Sequence, residues 1–192
     1  MTTGFSGTND DRALLPLCIA QRDLPDLLHT NAAVLSCLLE PRNQEYVQAA
    51  DADGHRLSVD GLLDTIIAHK SPGRPGISII LDAGAQVLEM ENREFVGLWL
   101  SKMTDAKAGI FVSRKDEIMV LSRDGRDEKL SSSSFADNRA GCLVYLDEAH
   151  CRGIDLKLEA TARAAVTLSP KQTKDQTAQG MHYKILSGVI RH

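Results

Sequence analysis

The sequence predicts an α/β domain in three layers, with a mainly parallel sheet between helices on both faces. Two observations lead to this prediction. Short apolar runs, bounded by glycine, proline or charged residues, recur along the chain and are typical of strands buried on both faces. Longer segments between them carry apolar residues at helical spacing. Strands that alternate with helices indicate a parallel sheet covered by helices.

The composition is that of an ordinary globular protein, and we expect one domain over residues 1–192. Hydrophobic residues make up 43% of the chain and charged residues 25%. The 22 basic and 26 acidic residues give a net charge of -4, which disfavours a general nucleic-acid-binding surface. No apolar run reaches about 18 residues, and the N-terminus lacks the features of a signal peptide. The four cysteines show no Cys-x-x-Cys pairing. We therefore expect an intracellular protein, cytoplasmic or nuclear, with reduced thiols and no membrane contact.

Two helices are expected before the first buried strand. The first spans about residues 25–39, where leucines and a valine recur at helical spacing. The second spans about 59–69, with Ser58 or Asp60 as its N-cap. The residues between them, 42–56, are polar and contain a turn signal, so we expect a loop there.

The rest of the chain alternates strands with connecting segments. A helix is predicted over 92–104, and residues 123–141, with a charged turn and four consecutive serines, are predicted to form an exposed, flexible loop. The tail over 173–192 is predicted to be helical. Strands are predicted at 77–81, 108–112, 118–121, 142–146 and 164–168, the second and third of them forming a hairpin.

The densest group of polar side chains follows the strand at 142–146. Ligands of open α/β sheets gather outside the carboxyl ends of the strands, so this turn is the first candidate site. Asp82 and Gln86 follow the strand at 77–81 in the same way. The candidate residues of the turn are Asp147, Glu148, His150, Cys151, Arg152, Gly153 and Asp155.

A second candidate site is the glycine-punctuated loop over residues 4–9. Two glycines around a serine and a threonine could direct backbone N–H groups at an anion, or the segment could be a plain surface turn. The sequence leaves both interpretations open. The candidate residues are Ser6, Gly7, Thr8 and Asn9.

One chemistry that these residues could support is that of a nucleotide motor. Residues 147–150 spell the Asp-Glu-Ala-His box that follows a buried strand in helicase-type ATPases. In those enzymes the aspartate holds Mg²⁺ through water and the glutamate positions the attacking water. The chain has no G-x-x-x-x-G-K-[ST] phosphate loop, so ATP and Mg²⁺ would need a cradle on another segment. No metal site is predicted, because His150, Cys151 and the distant His182 lack a recognisable ligand spacing.

The other chemistry is that of a thiol hydrolase. It needs a thiolate, a histidine that activates it and a third group that orients the histidine. A cysteine in mid-strand, such as Cys142, is more typical of a core position. Cys151 lies in the polar turn and is expected to be nearer solvent, but it is adjacent to His150 in the sequence. The residues of the right types are Cys142, Cys151, His150, Asp147 and Gln86.

Four segments together resemble a known family. They are Gly-Phe-Ser-Gly-Thr-Asn-Asp at 4–10, Leu-His-Thr-Asn-Ala at 28–32, Leu-Asp-Ala-Gly-Ala-Gln at 81–86 and the stretch at 144–158. Over about residues 3–175 the chain resembles a C-terminal part of very large, mostly fungal proteins catalogued as ubiquitin thioesterases (ubiquitinyl hydrolases). The resemblance implies a thiol-dependent deubiquitinase that needs no cofactor and acts on ubiquitin or a ubiquitinated protein.

The same family also resembles helicase-like and preprotein-translocase-like motors, whose phosphate loop lies far upstream of the matched region. On this interpretation residues 5–8 are a linker motif, and Arg-Gly-x-Asp-Leu at 152–156 is the arginine–glycine–acid motif of a second RecA-like lobe. The chain would then be a fragment of a larger protein, and its partner would be the upstream lobe. It departs from the family at Cys151 and Ile154, where we expect threonines, and after residue 175, where a basic helix is expected. An inactive scaffold or interaction fragment is the third possibility.

Overall fold

The computed structural model describes residues 2–4, 19–21, 46–70, 72–151, 154, 156, 158, 161–169 and 189–191. These residues form ten strands, two α-helices and one short 3₁₀ helix, Leu130–Ser132. The helices are α1 (Val59–Ala68) and α2 (Asn92–Lys102). The strands are β1 (Thr2–Gly4), β2 (Ile19–Gln21), β3 (Tyr46–Gln48), β4 (Ile77–Leu81), β5 (Ala108–Val112), β6 (Ile118–Ser122), β7 (Asp127–Lys129), β8 (Cys142–Leu146), β9 (Arg163–Leu168) and β10 (Val189–Arg191).

Eight of the strands form one mixed sheet in the order β3-β10-β9-β4-β8-β5-β6-β7. The first five neighbouring pairs are parallel, and β6 pairs antiparallel with both β5 and β7. Strands β1 and β2 form a separate parallel pair. The α/β class, the mainly parallel sheet and the hairpin of β5 with β6 are confirmed in the described part of the chain.

The central strands are apolar because both faces of the sheet are buried. In β8, Leu143 and Tyr145 point to one face, which we call the helix face, where α1 and α2 pack through residues such as Leu63 and Trp99. Cys142, Val144 and Leu146 point to the opposite face. Side chains alternate in this way along any strand, and a strand buried on both sides therefore reads as a continuous apolar run.

Both described helices lie on the helix face, which corrects the prediction of helices on both faces for this part of the chain. Among the described residues, the opposite face is covered by the 3₁₀ helix and by irregular segments, through Leu130, Cys151 and Leu156. Helix α1 begins at its predicted N-cap, where the Ser58 hydroxyl accepts the N–H of Gly61 at 3.2 Å. No helix of the described part is both long enough and apolar enough to cross a membrane.

Three predictions about less regular segments need correction. The loop predicted over 123–141 contains β7 and the 3₁₀ helix, because Leu130 and Phe135 anchor this polar segment to the apolar opposite face. Strand β3 lies inside the predicted loop 42–56, and β10 lies inside the tail that was predicted to be helical. Both strands owe their conformation to pairing with partners distant in sequence. The predicted helix 25–39 lies outside the described residues.

Candidate functional site

The sheet has a crevice where β4 and β8 end side by side. The connection from β4 leads to α2 on the helix face, whereas the connection from β8 runs through Cys151 and Leu156 on the opposite face. Ligands of open α/β sheets bind where neighbouring strands send their connections to opposite faces. The N–H of Asp82 donates to the carbonyl of Leu146 at 2.8 Å and ties the two strand ends together. Asp82 after β4 and Asp147 after β8, both identified in the sequence, therefore follow strands that end side by side.

Asp82 organises the loop that follows β4. The side chain is 1% exposed. Its Oδ1 accepts the N–H of Gln86 at 2.8 Å and the hydroxyl of Thr167 at 2.5 Å. Its Oδ2 accepts the N–H of Val87 at 2.9 Å and the hydroxyl of Tyr145 at 3.3 Å. Burial and the charge of Asp82 raise the pKa of Tyr145, which keeps this donor protonated. With both oxygens engaged by protein donors, Asp82 shapes the loop rather than contacting a ligand.

Gln86 is also part of this scaffold. It is buried, and its Nε2 donates to the carbonyl of Gly84 at 3.1 Å. The N–H of Gly84 donates to Thr167 at 3.0 Å, and a Cβ at Gly84 would lie 2.6 Å from the carbonyl carbon of Leu168. The guanidinium of Arg56 donates to the carbonyl of Gln86. Arg56 was not identified from the sequence, because its approach to the loop depends on how a distant segment folds back.

The loop after β8 is held by a chain of hydrogen bonds. The Nδ1 of His150 lies 2.5 Å from Oδ1 of Asp147, which also accepts the N–H of His150 at 2.9 Å. The Nε2 of His150 lies 3.1 Å from Oδ1 of Asp116 in the β5–β6 turn. Asn92, the first residue of α2, donates to Oδ2 of Asp147 at 2.7 Å and to the carbonyl of Val112 at 2.9 Å. Three elements are thus joined through Asp147.

His150 bridges two carboxylates, which favours its charged form. Burial alone would lower the pKa of His150, but the hydrogen bonds to Asp116 and Asp147 outweigh it and raise the pKa above its ordinary value. A neutral imidazole has one N–H, whereas the imidazolium has two. Donation from both ring nitrogens to the two carboxylates therefore requires the protonated ring.

A cleft of about 530 Å³ opens beside this bridge. It lies between the N-terminal end of α2, the β5–β6 turn and the end of β8. The sequence predicts the hairpin that contains this turn but gives no reason to place the turn against the site, since the contact is made only when β5 and β8 pair. The cleft is lined by Met90, Glu91, Asn92, Arg93, Phe111, Val112, Ser113, Arg114, Asp116, Met119, Asp127, Asp147 and His150.

The two described cysteines, Cys142 and Cys151, are buried and are not among the residues that line the cleft. Cys142 begins β8, whereas Asp147 follows the last residue of that strand. Burial raises the pKa of Cys142 to about 11, against the opposing charges of Lys107 and Arg139. Cys142 therefore lies at the opposite edge of the sheet from His150.

Cys151 corrects the expectation that it lies near solvent, since it is 2% exposed. Its N–H donates to the carbonyl of Asp147 at 2.8 Å, and this turn places the thiol on the opposite face of the sheet. There the Sγ donates to the carbonyl of Leu146 at 3.3 Å and packs on the opposite face. The His150 ring instead lines the cleft, whose floor belongs to the helix face.

The remaining candidates divide into two groups. Glu148 is exposed beside Asp147. Arg152, Gly153, Asp155 and the loop residues Ser6, Gly7, Thr8 and Asn9 lie outside the described residues. Elsewhere in the described part, the ligand atoms of Asp51, Asp53 and His55 lie within 4.8 Å of one another in an exposed loop.

No protein-family model, curated protein or solved structure matches this chain.

Proposed function

We propose that the chain is the second RecA-like lobe of a helicase-like or translocase-like ATPase, whose phosphate-binding lobe lies on another segment. The observation that carries this proposal is the crevice at the neighbouring ends of β4 and β8, where the connections leave on opposite faces. Nucleotides are bound at such points in open α/β sheets. Residues 152–156, which resemble the arginine–glycine–acid motif of a second lobe, follow β8 in the sequence.

The hydrogen bonds of Asp147 support a positioning role for the acid box in this lobe. Both carboxylate oxygens of Asp147 are engaged, one by His150 and one by Asn92. These bonds fix the carboxylate within the turn after β8. On this proposal the Asp-Glu-Ala-His segment holds the turn after β8, and the arginine–glycine–acid motif follows it in the sequence.

On this proposal the chain contributes charge and position rather than the phosphate cradle. ATP and Mg²⁺ would bind only with the upstream lobe, because the sequence has no phosphate loop. The guanidinium of Arg152 would stabilise charge that develops on the transferred phosphoryl group. Asp82 and Thr167 would keep the neighbouring loop in place.

The alternative is the thiol-dependent deubiquitinase that the family resemblance implies. One observation favours it, since a histidine oriented by an aspartate, as His150 is by Asp147, is two thirds of a catalytic triad. The buried positions of Cys142 and Cys151 weigh against it, as does the contact of the second His150 nitrogen with Asp116. An inactive scaffold is the third candidate.

Two assays on the same folded sample test these proposals. ATP hydrolysis is measured for the chain alone and after an upstream lobe with a phosphate loop, taken from a larger member of the resembled family, is added or fused. We expect no turnover alone, turnover with the lobe, and a loss of turnover in Arg152→Ala but not in Arg126→Ala, which removes an exposed arginine of the β6–β7 turn. No turnover with a lobe that demonstrably binds ATP would refute the motor proposal.

The second assay is intact-mass spectrometry after incubation with a ubiquitin C-terminal electrophile. The motor proposal predicts no adduct. A single adduct that disappears in Cys142→Ala or Cys151→Ala would establish the hydrolase instead and would identify its nucleophile. If neither ATP turnover nor a ubiquitin adduct is observed with the upstream lobe present, the inactive scaffold is the remaining candidate.

A further inference from the structure

We propose that the cleft between α2, the β5–β6 turn and the end of β8 binds an arginine or lysine side chain of a partner protein. This proposal goes beyond the motor function and does not depend on it. Three features of the cleft lead to it: an apolar floor, an excess of carboxylates, and a histidine that already occupies the position of a bound cation.

The floor of the cleft suits the aliphatic part of a long basic side chain. Met90, Phe111 and Met119 line it and pack with the core of the helix face. Phe111 is buried in the core of the helix face, so this part of the floor is fixed. Methionine side chains adapt to the shape of what they contact. Arginine and lysine lay their methylene groups along apolar surface while the charged head stays polar.

The walls of the cleft carry more carboxylates than cations. Two of the carboxylates are already paired with arginines, Arg93 with Asp127 at 2.6 Å and Arg114 with Glu91. Asp116 and Asp147 share only His150 as a titratable partner in the cleft. Four carboxylates against two guanidiniums leave an excess of two negative charges when His150 is neutral, and of one when it is protonated. The carboxylates are Glu91, Asp116, Asp127 and Asp147, and the guanidiniums are those of Arg93 and Arg114.

The charge excess decides what kind of partner fits. A positively charged guest is attracted to the carboxylates, whereas a phosphate backbone or an acidic peptide is repelled. Because the excess lies at Asp116 and Asp147, the cationic head of the guest is expected there, with its stem on the floor. The side chain of Asp116 is 84% exposed and is the carboxylate that an incoming group meets first.

His150 is the internal competitor for this position. When protonated, its ring donates to both Asp116 and Asp147, the same carboxylates that the guest would use. The other charged groups that line the cleft are carboxylates and guanidiniums, and His150 is the one imidazole among them. Binding of a basic side chain is therefore expected to tighten as the pH rises and His150 loses its proton.

The test is fluorescence anisotropy of the folded chain with a labelled peptide that carries three arginines separated by glycines. The reference peptide has citrulline in place of arginine and differs only in charge. We expect saturable binding of the arginine peptide alone, and tighter binding at about pH 8 than at about pH 6. Equal binding of the citrulline peptide, or no binding of either, would overturn the proposal.

Matched variants locate the binding in the cleft. Asp116→Asn should weaken binding about threefold or more. It should keep the turn intact, because asparagine tolerates the positive φ of 58° at this position. Asp105→Asn removes the same charge from an exposed residue in the α2–β5 connection and should leave binding unchanged. Equal losses in the two variants would show non-specific attraction and contradict the proposal.

His150→Gln tests the competition directly. Glutamine keeps a polar group at the position but has no titratable proton, so the variant should bind the arginine peptide equally at both pH values. A variant that kept the full pH dependence of the natural chain would contradict the role of His150. Tighter binding of a labelled single-stranded oligonucleotide than of the arginine peptide would refute the choice of a basic protein partner.

Discussion

The hydroxyl of Thr167 is expected to stabilise the loop after β4 far more than its size suggests. Thr167 is fully buried at the end of β9. Its hydroxyl donates to Asp82 at 2.5 Å and accepts the N–H of Gly84 at 3.0 Å. Thr167→Val keeps the shape of the side chain and removes both hydrogen bonds.

The magnitude follows from the groups that lose a partner. The buried N–H of Gly84 would lose its acceptor, which costs about 1–3 kcal/mol. Asp82 would lose one of the two donors to its Oδ1, and hydrogen bonds to charged groups contribute about 1.5–3 kcal/mol. Since the loop can relax in part, we expect Thr167→Val to lower the free energy of unfolding by about 3 kcal/mol. That is a large fraction of the total stability of a small domain.

Equilibrium unfolding in urea measures this loss, with Trp99 as the reporter, since it is the single tryptophan of the chain and is fully buried. The matched control is Thr65→Val on α1, whose hydroxyl donates at 2.8 Å to the carbonyl of Gly61 within the same helix. This control should cost less than about 0.5 kcal/mol, because such bonds contribute little to helix stability. A loss below about 1 kcal/mol for Thr167→Val, or one equal to that of the control, would refute the reasoning.

Three further predictions concern packing, thiol reactivity and pH. Gly109→Ala should lower the free energy of unfolding by about 1–3 kcal/mol, because the added Cβ would overlap Cγ1 of Val96 on α2. Gly76→Ala has no heavy atom within 4 Å of the added Cβ and should have little effect in the same urea titration. Burial raises the pKa of Cys142 to about 11, so Cys142 should react with iodoacetamide at about pH 8 only after unfolding. Peptide mass mapping measures this reaction. Labelling of the native chain as fast as that of the unfolded chain would contradict the prediction. The raised pKa of His150 means that its contribution to stability is full below its unfolded pKa of about 6.5 and is lost as the pH rises through the folded pKa. The difference in the free energy of unfolding between the natural chain and His150→Gln should therefore shrink between about pH 6 and pH 8. A constant difference would argue against the bridge to the two carboxylates.

The sequence by itself determined the elements whose pattern is local. The buried strands at 77–81, 108–112 and 142–146 were predicted with their observed bounds, because a strand buried on both faces shows an unbroken apolar run. Helix α1 was predicted to within one residue at its end, and its N-cap at Ser58 was among the two proposed. The acidic residues after two of these strands also pointed to one edge of the sheet.

Only the tertiary structure decided which side chains meet at that edge. Strands β3 and β10 form through partners distant in sequence, and the strand order that places β4 beside β8 leaves no local signal. The contacts of His150 with Asp116 and of Asn92 with Asp147 likewise join segments that are 34 and 55 residues apart. Cys151 shows the limit most clearly, since it has polar neighbours in the sequence, yet the turn after β8 carries its thiol into the core. Periodicity reports which face a residue occupies within its own element, but pairing and turn geometry decide what that face contacts.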